Sequence, residues 1–393
     1  MLTKEEKKVV AGITFVVVAR FLGLFLLLPV LAPYVKTLEG ATPLLVGLAV
    51  GVYGFTQALL QIPFGYLSDK YSRKAVISAG LLVYALGSFL GAVVSTAWGM
   101  VLARFLQGAG AISSAAIALA ADLVREEVRT VAFAHIGAAI GLTFAFSIVV
   151  SPLLAGYLGV PALFVLTGLL SLLALLYLWL FIKEPERHRK EIEPFLKTLP
   201  SILRDRNQLV IDLSVMLLHL VLVALFTVVP VELIERYGLP KPEHWKVYLP
   251  VILVSLAVMV PAVIAAEKRG RIKEVYLSGV ALIALGFLVY LLVPGFWGLV
   301  GMLLLFFVGF HLLEPVLPSL LTKLAGPEKR GIAVGVYNTF QFVGAFTGGL
   351  LGGLFLKLGS AVMSITLGLL SLFWLLLVGS WIKSAPLGGQ RGA

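Results

Sequence analysis

Long runs of apolar residues, separated by short polar segments, constrain this sequence more than any other feature. A membrane helix needs about 20 mainly apolar residues to cross about 30 Å of hydrocarbon. Because the runs are continuous rather than alternating, they exclude a transmembrane β-barrel. They predict an all-α integral membrane protein with twelve transmembrane helices, at residues 9–34, 43–67, 74–95, 97–121, 132–158, 161–183, 209–236, 246–267, 273–293, 296–322, 331–357 and 361–382.

The composition agrees with a membrane protein and excludes several function classes. Of the 393 residues, 60% are hydrophobic and 13% are charged, whereas soluble domains carry about 25% charged residues. The net charge of +11 is therefore interpreted as a membrane signal and not as a sign of nucleic-acid binding. The chain has no cysteine, and the spans contain no zinc motif, Walker A loop or Ser–His pair. We expect no metal, no cofactor and no enzymatic activity.

Lysine and arginine are distributed unevenly among the segments that join the spans. With both termini inside the cell, 24 of the 31 Lys and Arg residues lie in cytoplasmic segments and five lie outside. Only Arg20 and Arg104 lie inside spans and away from their ends. Because cytoplasmic segments carry an excess of positive charge, we expect a multi-pass protein of the cell inner membrane with both termini in the cytoplasm.

An internal repeat divides the spans into two groups of six. Residues 62–74 match residues 260–272, with proline, acidic and basic residues at equivalent positions; chance matching is the alternative. Two such parallel repeats are typical of transporters, with the substrate site between them near mid-membrane. We therefore predict a six-helix bundle at 1–183, a cytoplasmic linker at 184–208 and a second six-helix bundle at 209–393.

Three motifs carry a family resemblance. Residues 65–74 read Gly-Tyr-Leu-Ser-Asp-Lys-Tyr-Ser-Arg-Lys and resemble the signature loop of the major facilitator superfamily, except that Ser72 replaces a glycine. Residues 104–111, Arg-Phe-Leu-Gln-Gly-Ala-Gly-Ala, resemble the helix 4 motif of the same superfamily. Residues 151–156, Ser-Pro-Leu-Leu-Ala-Gly, are a degraded form of the motif that marks its drug:proton antiporters. The resemblance implies the major facilitator fold and the drug:proton antiporter branch.

The resemblance covers essentially all twelve spans. It extends to a bacterial inner-membrane member of this branch that carries an extra soluble C-terminal domain. The present sequence ends about ten residues after its last span, so we expect that this domain is missing.

The resemblance also implies a conformational latch built from Gly65, Asp69, Arg73 and Asp122. In the family, the aspartate of the signature loop caps the start of helix 11, here near residues 331–333, in the outward-facing state. A negative charge at a helix N-terminus is favourable. Arg73 is expected to pair with Asp122 at the cytoplasmic end of the fourth span. The alternative is that these charges only mark a cytoplasmic loop.

Five ionisable residues lie deep in the spans, where a charge is costly and each such residue is a candidate functional site. They are Arg20, Arg104, His219, His311 and Glu314, and the resemblance places their spans around a central cavity. Glu314 is the main candidate proton carrier because a carboxyl group can release a proton, and His311 is next because imidazole titrates near neutral pH. His219 and Arg104 are further candidates. A structural hydrogen bond is the alternative for Glu314 and Arg104.

A further group of polar residues is expected to contact substrate in the cavity. Tyr53 and Gln57 lie on one face of the second span, and an equivalent part of the eleventh span carries similar residues. The candidates are Arg20, Tyr53, Gln57, Gln107, Asn338 and Gln341. For the neutral members of this set, hydrogen bonding between helices is the alternative.

These observations predict a secondary active transporter that exports small amphipathic compounds in exchange for protons by alternating access. The expected partners are a small-molecule substrate, protons and the lipid bilayer, with no nucleic acid, and the chain is expected to be a monomer. A metabolite or sugar permease, working as a symporter or a facilitator, is the alternative within transport. A non-transporting receptor and an intramembrane enzyme are alternatives of other classes.

Overall fold

The structure, a computed structural model, describes residues 2–185, 199–325 and 330–384. Within these residues, twelve helices are long and apolar enough to cross a membrane, which confirms the predicted number. We label them α1 to α12 in chain order, with α4 in two segments. They are α1 Lys4–Val35, α2 Pro43–Lys70, α3 Arg73–Val93, α4a Ala97–Ala109, α4b Ser113–Leu123, α5 Arg129–Leu158, α6 Val160–Phe181, α7 Arg206–Glu235, α8 Trp245–Arg269, α9 Ile272–Leu292, α10 Phe296–Leu324, α11 Arg330–Leu358 and α12 Ser360–Ser384.

Hydroxyl side chains determine where the first four helices begin. Thr3, Thr42, Ser72 and Thr96 each accept a hydrogen bond from a backbone N–H in the first turn of the following helix. These caps satisfy donors that have no partner within the helix. Each helix therefore starts at a polar residue close to the beginning of the apolar run.

The fourth span contains a break that its continuous apolar sequence does not indicate. α4a ends at Ala109, and Gly110 leaves the helical conformation with φ −75° and ψ 56°. A Cβ atom at Gly110 would lie 2.6 Å from the carbonyl oxygen of Gly80 in α3. The break therefore lies where two backbones approach closely, which requires glycine.

The described chain divides into two compact units. The first joins parts of α7 and α11 to helices α1 to α6, and the second contains helices α8, α9, α10 and α12 with the remaining parts of α7 and α11. Their bounds are Met1–Ile192, Leu222–Trp245 and Ala345–Leu354 for the first unit, and Glu193–Val221, Lys246–Gly344 and Phe355–Ala393 for the second. Residues 186–198 of the predicted linker lie outside the described residues. The division into bundles at 1–183 and 209–393 stays a prediction.

The first unit has an apolar core built from four of its helices and α4b. Ile13 of α1, Leu81 of α3, Leu119 of α4b, Ile136 of α5 and Leu178 of α6 are all buried in one cluster. Burying a large aliphatic side chain contributes about 1.5–3 kcal/mol in water. Within a bilayer the surrounding lipid is also apolar, so close packing of these side chains against each other stabilises the unit instead.

The second unit is held by a buried polar network between α7, α9 and α12. The Ser214 hydroxyl of α7 forms a hydrogen bond with the Tyr276 hydroxyl of α9 and accepts a bond of 2.8 Å from Trp374 Nε1 of α12. Because lipid offers no competing partners, such bonds between helices fix their rotation against each other.

Large apolar side chains cover the outer faces of several helices. α6 exposes a row of leucines together with Trp179 and Phe181. In water such a patch would be unfavourable, but it suits a helix that faces lipid. The exposed rows therefore agree with a multi-pass membrane protein.

Candidate functional site

The loop between α2 and α3 is held together by the Arg73 guanidinium. Arg73 forms an ion pair with Asp69, four residues earlier in the chain, and a second one with Asp122 at the end of α4b, with 2.9 Å between Nε and Oδ2. Its Nη1 also donates to the Ser68 hydroxyl at 2.8 Å. The Arg73 side chain is 12% exposed, so these bonds are only partly screened by solvent. Gly65 lies one turn before Ser68, and a Cβ atom there would touch Ser114 of α4b at 3.4 Å.

The start of α3 is capped by a carboxylate that follows α6. Glu184 accepts hydrogen bonds from the Ser72 hydroxyl at 2.7 Å and from the Arg73 backbone N–H at 3.0 Å. Lys74 Nζ donates to the carbonyl oxygen of Ile182 at 2.6 Å and lies 4.6 Å from the centre of the Trp179 ring. Glu184 is not among the residues predicted from the sequence, although its place directly after the sixth span was a usable signal.

A second ion pair ties the start of α1 to the segment between α4b and α5. Arg125 donates from Nε to Glu6 at 2.9 Å and from Nη2 at 3.2 Å. Two bonds to one carboxylate are stronger than a single charged contact. The hydrogen bond to Glu6 and its charge raise the pKa of Arg125 above its ordinary value.

Two buried arginines of the first unit surround one aromatic ring. The guanidinium carbon of Arg20 in α1 lies 5.6 Å from the centre of the Tyr53 ring in α2, and that of Arg104 in α4a lies 4.8 Å from the same centre. Arg20 also lies 5.0 Å from the centre of the Phe21 ring. The two arginines are 0% and 2% exposed. We call Arg20, Tyr53 and Arg104 the arginine cluster.

Neutral polar groups surround the arginine cluster. Arg20 Nη1 donates to the Ser113 hydroxyl at 3.4 Å, and Arg104 Nη1 donates to Gln107 Oε1 at 2.7 Å. Gln107 in turn donates to Ser88 of α3 at 2.8 Å. Gln107 was predicted from the sequence, whereas Ser88 and Ser113 were not, because a serine in a span gives no sign of which helix it faces.

Gln57 lies in α2, one turn beyond Tyr53. Its Nε2 donates to the carbonyl oxygen of Gly108 in α4a at 2.8 Å. The two helices are close at this point, because a Cβ atom at Gly108 would collide with the backbone of Tyr53. Gln57 therefore forms a hydrogen bond between α2 and α4a. This is the alternative to substrate contact that was given for the neutral candidates.

Glu314 and His311 lie one turn apart on α10 in the second unit. Glu314 is half-buried, and its buried Oε2 has no hydrogen-bond partner among the described residues. His311 is buried, and its Nδ1 lies 2.8 Å from the Ser255 hydroxyl of α8. Since Ser255 donates its own proton to the carbonyl oxygen of Ile252, the histidine Nδ1–H is the donor in this pair.

His219 of α7 connects to Gln341 of α11. His219 Nδ1 lies 3.1 Å from the carbonyl oxygen of Val215, so this nitrogen donates. Its Nε2 lies 2.8 Å from Gln341 Nε2, so the ring and the amide connect α7 to α11. Asn338, one turn before Gln341, is half-buried.

A buried acid near the start of α7 was given no role in the sequence analysis. Asp212 is 1% exposed and accepts a hydrogen bond from Gln208 at 2.8 Å. Gln208 also donates to the carbonyl oxygen of Ala333 in α11 at 3.4 Å. The spacing of four residues between Gln208 and Asp212 was the signal for this pair.

Within the first unit, two contacts join the segments of α7 and α11 to α1 and α2. Lys36 directly after α1 forms an ion pair of 2.5 Å with Glu235 at the end of α7. α2 and α11 meet through glycines, and a Cβ atom at Gly349 would lie 2.5 Å from the Cα of Gly51. Gly47 and Gly353 extend this contact, and we call these four residues the glycine contact.

The described residues contain no group of three or more His, Asp or Glu side chains that could hold a metal ion. The first unit instead contains the signature loop and the arginine cluster, and the second unit contains the Glu314 carboxyl group, whose buried Oε2 has no hydrogen-bond partner among the described residues. The sequence pattern of the Major Facilitator Superfamily matches residues 13–266 and 244–392 of the chain. The chain belongs to the Major Facilitator Superfamily. It is therefore a membrane transporter and not an enzyme.

Comparison with known members of the Major Facilitator Superfamily supports this membership. The chain is 40% identical to the inner membrane transport protein YajR of Escherichia coli (strain K12) over 356 residues, which cover 90% of this chain and 78% of YajR. It is 26% identical to the quinolone resistance protein NorA of Staphylococcus aureus (strain MSSA476), with 85% and 86% of the two chains covered. A crystal structure of an autoinhibited POT-family peptide transporter superposes with a TM-score of 0.79 at 13% identity, with 98% of each chain covered. This last likeness concerns the fold alone.

Proposed function

We propose that this transporter exports small amphipathic compounds in exchange for protons, from the cell inner membrane, with both termini in the cytoplasm. The observation that carries the proposal is Glu314, whose buried Oε2 has no partner among the described residues. An ionised carboxylate without a partner is strongly unfavourable in an apolar environment. The buried group is therefore stable when it carries a proton, and access to water allows the proton to leave.

The environment of Glu314 suits a carrier whose proton is exchanged during each transport cycle. His311 and His219 already use Nδ1 as a donor, to Ser255 and to Val215 respectively. Glu314, in contrast, forms none of the ion pairs found among the described residues. A group without a fixed partner can change its charge without breaking a bond that holds two helices together.

Export as the direction of transport is supported by the relatives. The name of NorA refers to quinolone resistance, which is the outcome expected when a cell removes such compounds. The name of YajR places that relative in the inner membrane. The strong excess of Lys and Arg on one side of the predicted spans supports cytoplasmic termini.

The signature loop provides a latch for alternating access in this proposal. Arg73 joins α2 and α3 to the end of α4b through Asp69 and Asp122. We propose that the loop then moves as one body, and that Asp69 can approach the positive start of α11 in the outward-facing state.

Flux measurements in liposomes test the proposed function. A gradient of one pH unit is worth about 1.4 kcal/mol per proton and can drive about tenfold accumulation of substrate. With the membrane potential clamped and a fluorescent quinolone as the probe, the wild-type protein should accumulate the probe against its gradient. Glu314→Gln should abolish accumulation, because glutamine keeps the shape of the side chain but cannot titrate.

A matched control makes this test specific. Glu274 of α9 is 63% exposed and lies 3.9 Å from Arg271, so Glu274→Gln changes the same atoms away from the proposed carrier. It should accumulate the probe like the wild type. Accumulation by Glu314→Gln at the wild-type level would assign proton transport to another group. Wild-type flux that does not depend on the pH gradient would favour a facilitator.

A further inference from the structure

The arginine cluster places two cations inside the membrane domain with no acidic partner. Arg20 and Arg104 form none of the ion pairs found among the described residues. Arg20 Nε, Arg20 Nη2 and Arg104 Nε are buried and donate no hydrogen bond within the described chain. Three guanidinium nitrogens thus remain available around the ring of Tyr53.

The first six spans offer no carboxylate that could neutralise these cations. Between residues 7 and 121 the acidic residues are Glu39 and Asp69, which lie outside or at the end of the spans. The bonds that the cluster does make, to Ser113 and Gln107, come from neutral groups. Cation–π contacts with Tyr53 contribute about 2 kcal/mol when desolvated, whereas an unpaired buried charge costs several kcal/mol.

The chemistry of the cluster indicates which group would neutralise it. Guanidinium presents planar, paired N–H donors that match the two oxygens of a carboxylate. Aromatic side chains lie directly beside these donors, since the Phe21 ring contacts Arg20 and lies 5.5 Å from the ring of Phe25. This combination suits a compound with an aromatic body and one negatively charged end.

We propose that the arginine cluster binds the carboxylate of the transported compound, so that the substrates of this protein are amphipathic organic anions. This inference rests on the proposed export function and names its substrate class. The anion would neutralise Arg20 and Arg104 while they are shielded from water, and so would stabilise the substrate-bound form relative to the empty one. A purely structural cluster would show no preference for anions.

Equilibrium binding in detergent tests the proposal without any proton gradient. The probes are a quinolone carboxylate that has no amine, and its ethyl ester, in which the same ring system is neutral. In a buffer of low ionic strength that contains no carboxylate anion, the wild-type protein should bind the carboxylate at least about tenfold more tightly than the ester, because the ester cannot form the charged bidentate pair. Binding is measured by quenching of probe fluorescence and by the shift in melting temperature.

Variants assign the preference to the cluster. Arg20→Gln and Arg104→Gln should each lower the affinity for the carboxylate about tenfold and leave that for the ester unchanged, and Arg20→Lys should give an intermediate value. Arg125→Gln, which replaces an exposed guanidinium paired with the buried Glu6, is the control and should keep the preference. The melting temperature of each variant without probe shows whether it is folded.

Three outcomes would overturn the proposal. These are equal affinity for carboxylate and ester in the wild type, a retained preference in both glutamine variants, and stabilisation by chloride alone that the carboxylate does not compete with. Since no gradient is present, a failure of proton coupling in the flux assay would leave the binding result intact. A failure of binding would likewise leave the role of Glu314 open to its own test.

Discussion

At the scale of single residues, the signature loop depends on the Arg73 guanidinium. It bonds to two carboxylates and to the Ser68 hydroxyl, so the loss of either carboxylate leaves the guanidinium with a partner. Asp69 is 41% exposed, and an exposed ion pair contributes about 0.2–1 kcal/mol. Substitution of Asp69 should therefore shift a conformational equilibrium rather than unfold the protein.

Asp69→Asn should favour opening of the cytoplasmic side by a factor of up to about five, the equivalent of about 1 kcal/mol. The chain has no cysteine, so Ser114→Cys introduces a sole thiol on α4b near Gly65. Its rate of reaction with a maleimide added from the cytoplasmic side should rise in Asp69→Asn. Glu127→Gln, an exposed carboxylate in the same unit, is the control. An unchanged labelling rate in Asp69→Asn, with maleimide added from either side of the membrane, would contradict the proposed latch.

The sequence identifies polar residues in the spans more easily than it identifies their partners. Arg20, Arg104 and Glu314 stand out because charge is rare in an apolar run. The serines that bond to them or to their neighbours, Ser113 and Ser88, do not stand out. Pairing of side chains between helices depends on how each helix is rotated in the bundle, and periodicity within an all-apolar helix does not specify that rotation.

At the scale of helices, the contact between α2 and α11 depends on the absence of side chains. A Cβ atom at Gly349 would lie 2.5 Å from the Cα of Gly51, and atoms of the backbone cannot move aside as a flexible side chain can. Overpacking of this kind costs about 1–3 kcal/mol. The cost is avoided when α2 and α11 separate.

Gly349→Ala should therefore open the glycine contact and expose residues beside it. Val46 of α2 directly precedes Gly47 in the chain and is 1% exposed. Val46→Cys as the sole thiol should react with an impermeant maleimide several times faster in Gly349→Ala. Gly335→Ala is the matched control on the same helix, because no atom lies within 4 Å of its Cβ position. If both alanine variants label like the wild type, the glycine contact does not control access.

Most of the helices could be predicted from the sequence, because each span is a continuous apolar run of the length that a bilayer requires. The break at Gly110 could not be predicted in this way. It depends on the approach of the Gly80 carbonyl from α3, which is a property of the packed bundle. Both segments of α4 are apolar, so hydropathy does not change at the break.

At the scale of the whole molecule, the sequence repeat and the compact units describe different aspects of the chain. The predicted repeat relates two sets of six spans. The first unit also includes residues 222–245 and 345–354, because Pro242 packs on Gly156 and Gly349 packs on Gly51 within it. A repeat in the sequence indicates which segments are equivalent, whereas the compact units follow from the contacts that the helices make in this structure.

The signature motif indicates the family at this scale, but neither the motif nor the spans indicate the cargo. A substrate site in a transporter consists of a few side chains on several helices, and the sequence does not specify their distances. The arginine cluster shows this well, since Arg20 and Arg104 are 84 positions apart in the chain and meet only around Tyr53.

Movement of protons during substrate entry shows whether the protein exchanges protons for substrate. Proteoliposomes with a pH-sensitive dye inside, a clamped membrane potential and no imposed pH gradient receive the quinolone carboxylate from outside. Entry of the compound through the wild-type protein should drive protons out and make the lumen more alkaline, whereas passive entry of the protonated acid makes it more acidic. Glu314→Gln should show only the passive acidification. The same acidification in wild-type, Glu314→Gln and protein-free liposomes would contradict the account.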